Sequence, residues 1–340
     1  MENDQPKKDF WEYPAQQQIE LFEKIFREKN ISPKAAEKDW WVCHVIASMF
    51  SLRCADALTF KGGTSLSKAW GVTERFSEDV DLSIDKSFFG LTGDTRSARD
   101  RIRKLSRAYI HEELIPELIA TLSVYGAAKC EVGYKPRRDS DADPTVLIIS
   151  YCTLLPPDPY IKPEVKVEIS CRNPREPREL RPIVPYAVEL SPVIDFPEMV
   201  VPTVTPERTF LEKVFLLHEE FQKDYPRHKR MSRHLYDLWR LDRTGYADKA
   251  MANTDLYQTL VHHRSVFNAI RGIDYAKHTP ENLRILPPDN LRPLWEEDYN
   301  MMIQGFIFGD APDFGKLYRS LSDLQDRLHQ IPIADFSLPL

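Results

Sequence analysis

The stretch Lys61–Asp85, KGGTSLSKAWGVTERFSEDVDLSID, constrains the fold of this chain more than any other segment. It opens on Gly62-Gly63 and a Thr64-Ser65 pair that can cap a brief helix through Trp70. It closes on Asp79 and Asp81, one residue apart among apolar residues. From Asp79 to Ile84 the pattern alternates, with Asp79, Asp81 and Ser83 on one strand face and Val80, Leu82 and Ile84 on the other. Ala57–Phe60 reads as a short apolar strand that runs into the glycines. The expected order is strand, glycine turn, short helix, then a strand with two carboxylates on one face.

That order suits a reaction on a triphosphate. Two carboxylates at alternate strand positions stand about 6–7 Å apart along the backbone, close enough to converge on one or two ions. Magnesium prefers hard oxygen ligands from one or two carboxylates and the phosphates. Gly62 and Gly63 allow backbone angles and a close approach that a side chain would block. The amides of Thr64 and Ser65 would face a phosphate from a helix N-terminus. A second predicted strand, Val165–Ile169, puts Lys166 and Glu168 on one face. Glu168 has the parity of a third ligand or general base if its strand lies beside Asp79–Ile84. Alone, Asp-x-Asp is most often a solvated strand end and Gly-Gly-Thr a turn. The ordered combination is what points to a polymerase-β-type nucleotidyltransferase site.

Around this segment the chain changes character. Ser32-Pro33 starts a helix to about Leu52. Thr95–Glu117 reads as helix and Val146–Leu155 as strand. Residues 156–206 hold 12 of the 26 prolines, which excludes long helices there. Thr205-Pro206 restarts helix to about Gln222, a second runs from about Lys229 to Arg243, and the rest is helical. Leu317, Leu321, Leu324 and Leu328 mark the last helix. The fold expected is α+β: a nucleotidyltransferase unit over 1–200, with a mixed sheet, flanking helices and N-terminal helices, and a mainly helical part over 201–340 that contributes to the active-site cleft.

FKGGTSLSKAWGVTERFSEDVDLSI resembles the AbiEii/MenT-type nucleotidyltransferases, toxins of type IV toxin–antitoxin systems within the polymerase-β-like superfamily. EKDWWVCHVIASMF resembles the helix that this family places ahead of its first strand. PERTFLEKVFLLH and SRHLYDLWRL are similar to its later lysine and R-x-L-Y-D-L blocks. The four blocks span residues 37 to 243. The resemblance implies that Asp79 and Asp81 bind metal, Mg2+ or Mn2+, that Lys213 meets the NTP triphosphate, and that Asp237 assists at the site or holds it together. It further implies a tRNA 3′ end or other RNA as acceptor, a cognate antitoxin, and growth arrest or phage defence. The 13 residues between Ser65 and Asp79 are at the long end for the superfamily, which weakens Thr64 and Ser65 relative to the aspartates. Each carried residue has a plainer alternative. Lys213 could be a solvated lysine screened by Glu212 and Glu220. Asp237 could pair with Arg233 and Arg240 along its own helix, worth about 0.3–0.5 kcal/mol.

The net charge of −6 excludes a wholesale polyanion binder, so any RNA contact is local. Arg96, Arg99, Arg103 and Arg107 share one helix face, with Ala98, Ile102, Leu105 and Tyr109 opposite. A second basic cluster, Arg227 to Arg233, opens the helix that bears Asp237. Both are candidate RNA contacts, competing with solvated helix faces. No apolar run spans a membrane, the N-terminus has no signal-like core, and five scattered cysteines form no CxxC pair. A cytoplasmic protein with reduced thiols and no membrane contact is expected. Two other functions stay open here: nucleotide or phosphate transfer to a protein hydroxyl, and a nucleotide-binding module without turnover.

Overall fold

The computed structural model describes residues 8–92, 95–124, 130–136, 144–157, 161–172, 174 and 176–333. The chain divides into two compact units. The first comprises Met1–Ala69, Phe76–Thr92 and Asp100–Thr203, the second Trp70–Arg75, Gly93–Arg99 and Val204–Leu340.

The first unit carries a mixed seven-stranded sheet, in the order Cys130–Tyr134, Thr145–Tyr151, Glu164–Ser170, Asp79–Ile84, Leu58–Lys61, Val200–Val204, Arg178–Pro182. Asp79–Ile84 lies at its middle, parallel to Glu164–Ser170 and antiparallel to Leu58–Lys61. Thr145–Tyr151 runs antiparallel to both its neighbours. One face is apolar and closed: Val80, Leu82, Ile84, Leu147, Ile149, Val165, Val167 and Ile169 are fully buried. The other carries Asp79, Asp81, Lys166 and Glu168, all half-buried. The period-2 pattern therefore sorts the sheet into a core side and a chemical side. The strand expected to reach Leu155 stops at Tyr151, because the Thr153 hydroxyl and Leu154 amide donate to Glu37 instead of extending the ladder.

The helix Pro33–Met49 packs on this sheet, and the Ala35 amide donates to Ser32 Oγ at its start. It is buried on every side, including Lys34, Glu37, Lys38 and Asp39. Charges survive there because each has a partner: Lys38 Nζ lies 2.9 Å from Glu78 Oε2, and Asp39 Oδ1 lies 2.9 Å from Lys68 Nζ. The helix expected over 95–117 is interrupted. Arg96–Tyr109 is α-helical, Ile110–Leu114 widens into a π turn, and Ile115–Val124 resumes. Pro116 has no amide to donate and its ring crowds the preceding turn, a conflict that the wider turn absorbs. Leu105, expected on the packed face, is 37% exposed, and Ser106 is buried beside Ile102 and Tyr109 instead.

The second unit is helical: Pro206–Glu220, Ser232–Arg243, Tyr246–Ala252, Thr254–His263, Arg292–Phe306 and Phe314–Leu328. The second of these starts at Ser232, not Lys229. Arg230 adopts a left-handed φ of 59°, and Asp298 accepts from the amides of Arg230 and Ser232 and from the Ser232 hydroxyl, serving the N-terminal donors of the helix. Leu317, Leu321, Leu324 and Leu328 are fully buried. All five cysteines are free, and Cys43, Cys54 and Cys171 are buried. Among the described residues, no helix is long and apolar enough to cross a membrane.

Candidate active site

Gly62 is the tightest point of the chemical face. Its φ is +81°, and a Cβ built there would lie 1.9 Å from Asp81 Oδ2. The glycine leaves the space that the Asp81 carboxylate fills. The short helix begins at Gly62 itself and runs to Lys68 without a side-chain cap. Thr64 and Ser65 thus do not act as the expected caps. The Thr64 hydroxyl donates to the Asp79 carbonyl at 2.5 Å and the Ser65 hydroxyl to the Gly62 carbonyl at 2.9 Å. Both side chains are buried, and their hydroxyls tie the turn together. Gly63 is the half-buried second residue of this helix.

Two strands set out four charged residues as a block. Asp79 is in register with Lys166, and Asp81 with Glu168. The condition placed on Glu168, that its strand lie beside Asp79–Ile84, is met. Lys166 Nζ stands 3.8 Å from Asp79 Oδ1, an oxygen that is buried and accepts no hydrogen bond. A buried carboxylate oxygen without a donor is costly, and hard anionic oxygens of this kind suit a divalent cation. Among the described residues, no three or more His, Cys, Asp or Glu side chains gather as a metal cluster. Asp79 and Asp81, with Glu168 in register beside Asp81, are the carboxylates that this face could offer a cation.

The buried helix pins both ends of the motif through consecutive residues. Lys38 holds Glu78, the residue before Asp79, and Asp39 holds Lys68 at the end of the glycine helix. Sequence reasoning did not single out Lys38, Asp39, Lys68 or Lys166 as contributors. The available signal was the charged pair Lys38-Asp39 inside a segment too apolar to be a surface face.

Within the second unit, Asp237 is fully buried and accepts from two cations. The Arg75 guanidinium forks onto it at 2.7 and 2.8 Å, and Lys213 Nζ lies at 2.8 Å. Burial alone would raise the Asp237 pKa, but Arg75 and Lys213 outweigh it and hold the carboxyl well below its ordinary range. Burial, with Arg75 nearby, pulls Lys213 below the usual lysine value against the opposing pull of Asp237. Arg240 and the two glutamates weighed in the plainer alternatives have other partners. Arg240 binds Glu74 and the Val72 carbonyl, Glu212 pairs with Arg208, and Glu220 pairs with Lys223 and Arg227. Lys213 is 7% exposed, not a solvated surface lysine.

Of the proposed RNA-contact arginines, the Arg96 side chain lies outside the described residues, Arg99 and Arg103 are half-buried, and Arg107 is exposed. In the second basic cluster, the Arg227 guanidinium is committed to Glu220.

The family model of the nucleotidyl transferase AbiEii toxin of type IV toxin–antitoxin systems matches residues 50–326. The chain belongs to this family. None of the curated proteins matches it significantly. A solved structure, MenT4, a nucleotidyltransferase toxin from Mycobacterium tuberculosis H37Rv, aligns at 16% identity with a TM-score of 0.47, over 91% of this chain and 98% of that one. As an AbiEii-family nucleotidyltransferase toxin, the protein is a transferase acting on a nucleoside triphosphate, and a type IV toxin implies a cognate antitoxin. Nucleotidyltransferases of this family generally use a divalent metal.

Proposed function

We propose that this AbiEii-family protein moves a nucleoside monophosphate from an NTP to the 3′ end of a tRNA, with Mg2+ held by Asp79 and Asp81. The acceptor hydroxyl oxygen bonds to the α-phosphorus, the bond from that phosphorus to the bridging oxygen breaks, and pyrophosphate leaves. A bound divalent ion would supply charge neutralisation on the phosphates and acidify the acceptor hydroxyl. Glu168 takes the hydroxyl proton in this reading, which its register with Asp81 supports. Lys213 neutralises phosphate charge, as the family resemblance implies. Asp237, fully buried and bonded to both Arg75 and Lys213, is a positioning residue. Arrest of growth or defence against phage, held in check by the antitoxin, is the corresponding cellular role.

The observation that carries this reading is the fit of Asp81 over Gly62, with a buried Asp79 oxygen that accepts no hydrogen bond two residues away on the same strand face. The test is to incubate the purified protein with each labelled NTP, Mg2+ and total tRNA. Label should appear at the tRNA 3′ end, and Asp81→Ala should lower transfer by about 100-fold or more. No transfer with any NTP, or undiminished transfer by Asp81→Ala, rejects the proposal. Label on the protein itself replaces it with transfer to a protein hydroxyl.

A further inference from the structure

An open depression of about 700 Å³ lies in the first unit, at the edge of the sheet. One wall is a helical stripe with Lys104, Arg107 and His111; the other is the end of the edge strand with Tyr134 and Lys135. The spacing 104, 107, 111 puts the three helical residues on one face. Three of the five are full cations. His111 and Tyr134 meet edge to face, with centroids 4.6 Å apart, and Tyr134 remains 55% exposed. One carboxylate, Glu112, is also part of the wall.

The register connects this depression to the carboxylates. Asp81 stands opposite Glu168, Glu168 opposite Val146, and the Lys135 amide donates to the Val146 carbonyl. Asp81, Glu168, Val146 and Lys135 thus form one row across the sheet. At about 4.8 Å per strand the row is about 14 Å long. It starts at the proposed reacting end and finishes at Lys135; Tyr134, opposite Leu147, belongs to the other face, so the ring and the helical stripe lie round the sheet edge from the row.

We infer that this groove holds the acceptor RNA a few nucleotides upstream of its reacting 3′ end, with phosphates on Lys104, Arg107 and Lys135 and a base stacked on Tyr134. The inference rests on the RNA-acceptor reading above. Cations alone would serve an acidic protein segment equally well. The exposed ring beside them favours a polynucleotide, whose bases stack while its phosphates pair. Lys135 ends the row that starts at Asp81, so a strand in the groove reaches the carboxylates by passing the sheet edge at Lys135, a direction that a protein partner would not need. The face used differs from the one expected from Arg96, Arg99, Arg103 and Arg107: only Arg107 is shared.

The test compares the full-length protein with a Lys104→Glu/Arg107→Glu/Lys135→Glu variant and a Tyr134→Ala variant, using total tRNA at several salt concentrations. The triple variant should bind tRNA at least tenfold more weakly at low salt, with a slope of log affinity against log salt reduced by about 2–3. Tyr134→Ala should weaken binding about tenfold and leave the slope unchanged. Stabilisation by NTP and Mg2+ in a thermal shift should match the parent in both, which separates a lost groove from a damaged fold. If the parent transfers NMP to tRNA and the triple variant binds tRNA with the parental slope, the groove is wrong and the acceptor reading stands. If the parent binds no RNA and labels none, both fall. If the triple variant loses its antitoxin but keeps RNA binding, the groove belongs to the protein partner and the inference is overturned.

Discussion

Gly62 resists substitution for two independent reasons. Its backbone is left-handed, and the space a Cβ would need is filled by the Asp81 carboxylate. Gly62→Ala must therefore strain the turn, move the carboxylate, or both. The backbone term costs about 1–3 kcal/mol. A displacement of a reacting group by about 1 Å costs roughly 100-fold in rate. We expect Gly62→Ala to lower NMP transfer about 100-fold while shifting the urea midpoint by only the backbone term. A variant with near-parental transfer would show that the carboxylate position is not critical. Gly71 and Gly90 also have positive φ, but nothing lies within 4 Å of a Cβ at either, so alanine there should cost stability alone.

Elements are tied to one another in this protein by buried charge pairs. In the second unit, Asp237 on the helix Ser232–Arg243 gathers Lys213 from Pro206–Glu220 and Arg75 from the segment Trp70–Arg75. Arg240, three residues on, binds the same segment through Glu74 and the Val72 carbonyl. Removing the acid leaves two buried cations facing each other, whereas removing one cation leaves the other pair intact. Asp237→Asn should thus destabilise by about 3–5 kcal/mol, more than Lys213→Met. Urea denaturation of both variants checks the order, and a smaller loss for Asp237→Asn would refute the account. Because its folded pKa is depressed, the contribution of Asp237 is present above the ordinary carboxylate range and is lost only as pH falls below it.

For the whole molecule, acid sensitivity at milder pH comes from histidines. Each unit buries one whose pKa is lowered to about 4: His44 by burial, and His218 by burial and then the neighbouring His278. The unfolded value is near 6.5. Below it the unfolded chain takes up a proton that the folded one refuses, so stability falls from pH 6.5 towards about 4. Each histidine accounts for about 2 kcal/mol by pH 5. Calorimetry at pH 7 and pH 5 should show unfolding move to lower temperature at pH 5, with His218→Gln reducing the change. A flat melting temperature across that range contradicts the assignment.

What the sequence by itself determined was local and periodic. The alternation at Asp79–Ile84 placed both aspartates on one strand face, the parity of 165–169 placed Glu168 with Lys166, Ser32-Pro33 marked a helix start, and four leucines marked the last helix. Such signals need only neighbours a few residues away, and so did the family blocks. Tertiary structure alone decided who partners whom. Asp237 bound Arg75, 162 positions away, while Arg240 on its own helix turned to Glu74, and Lys38 and Asp39 met Glu78 and Lys68 inside a core. The hydroxyls of Thr64 and Ser65 turned inward because carbonyls of Asp79 and Gly62 lay within reach. Strand order put Glu168 opposite Asp81 and carried that row to Lys135. Charge pairing and strand neighbours depend on distances through space, which a one-dimensional pattern does not contain. The glycine–aspartate motif was legible because its constraint is local. Its supports were not, because a buried charge is held by whichever opposite charge the fold brings near.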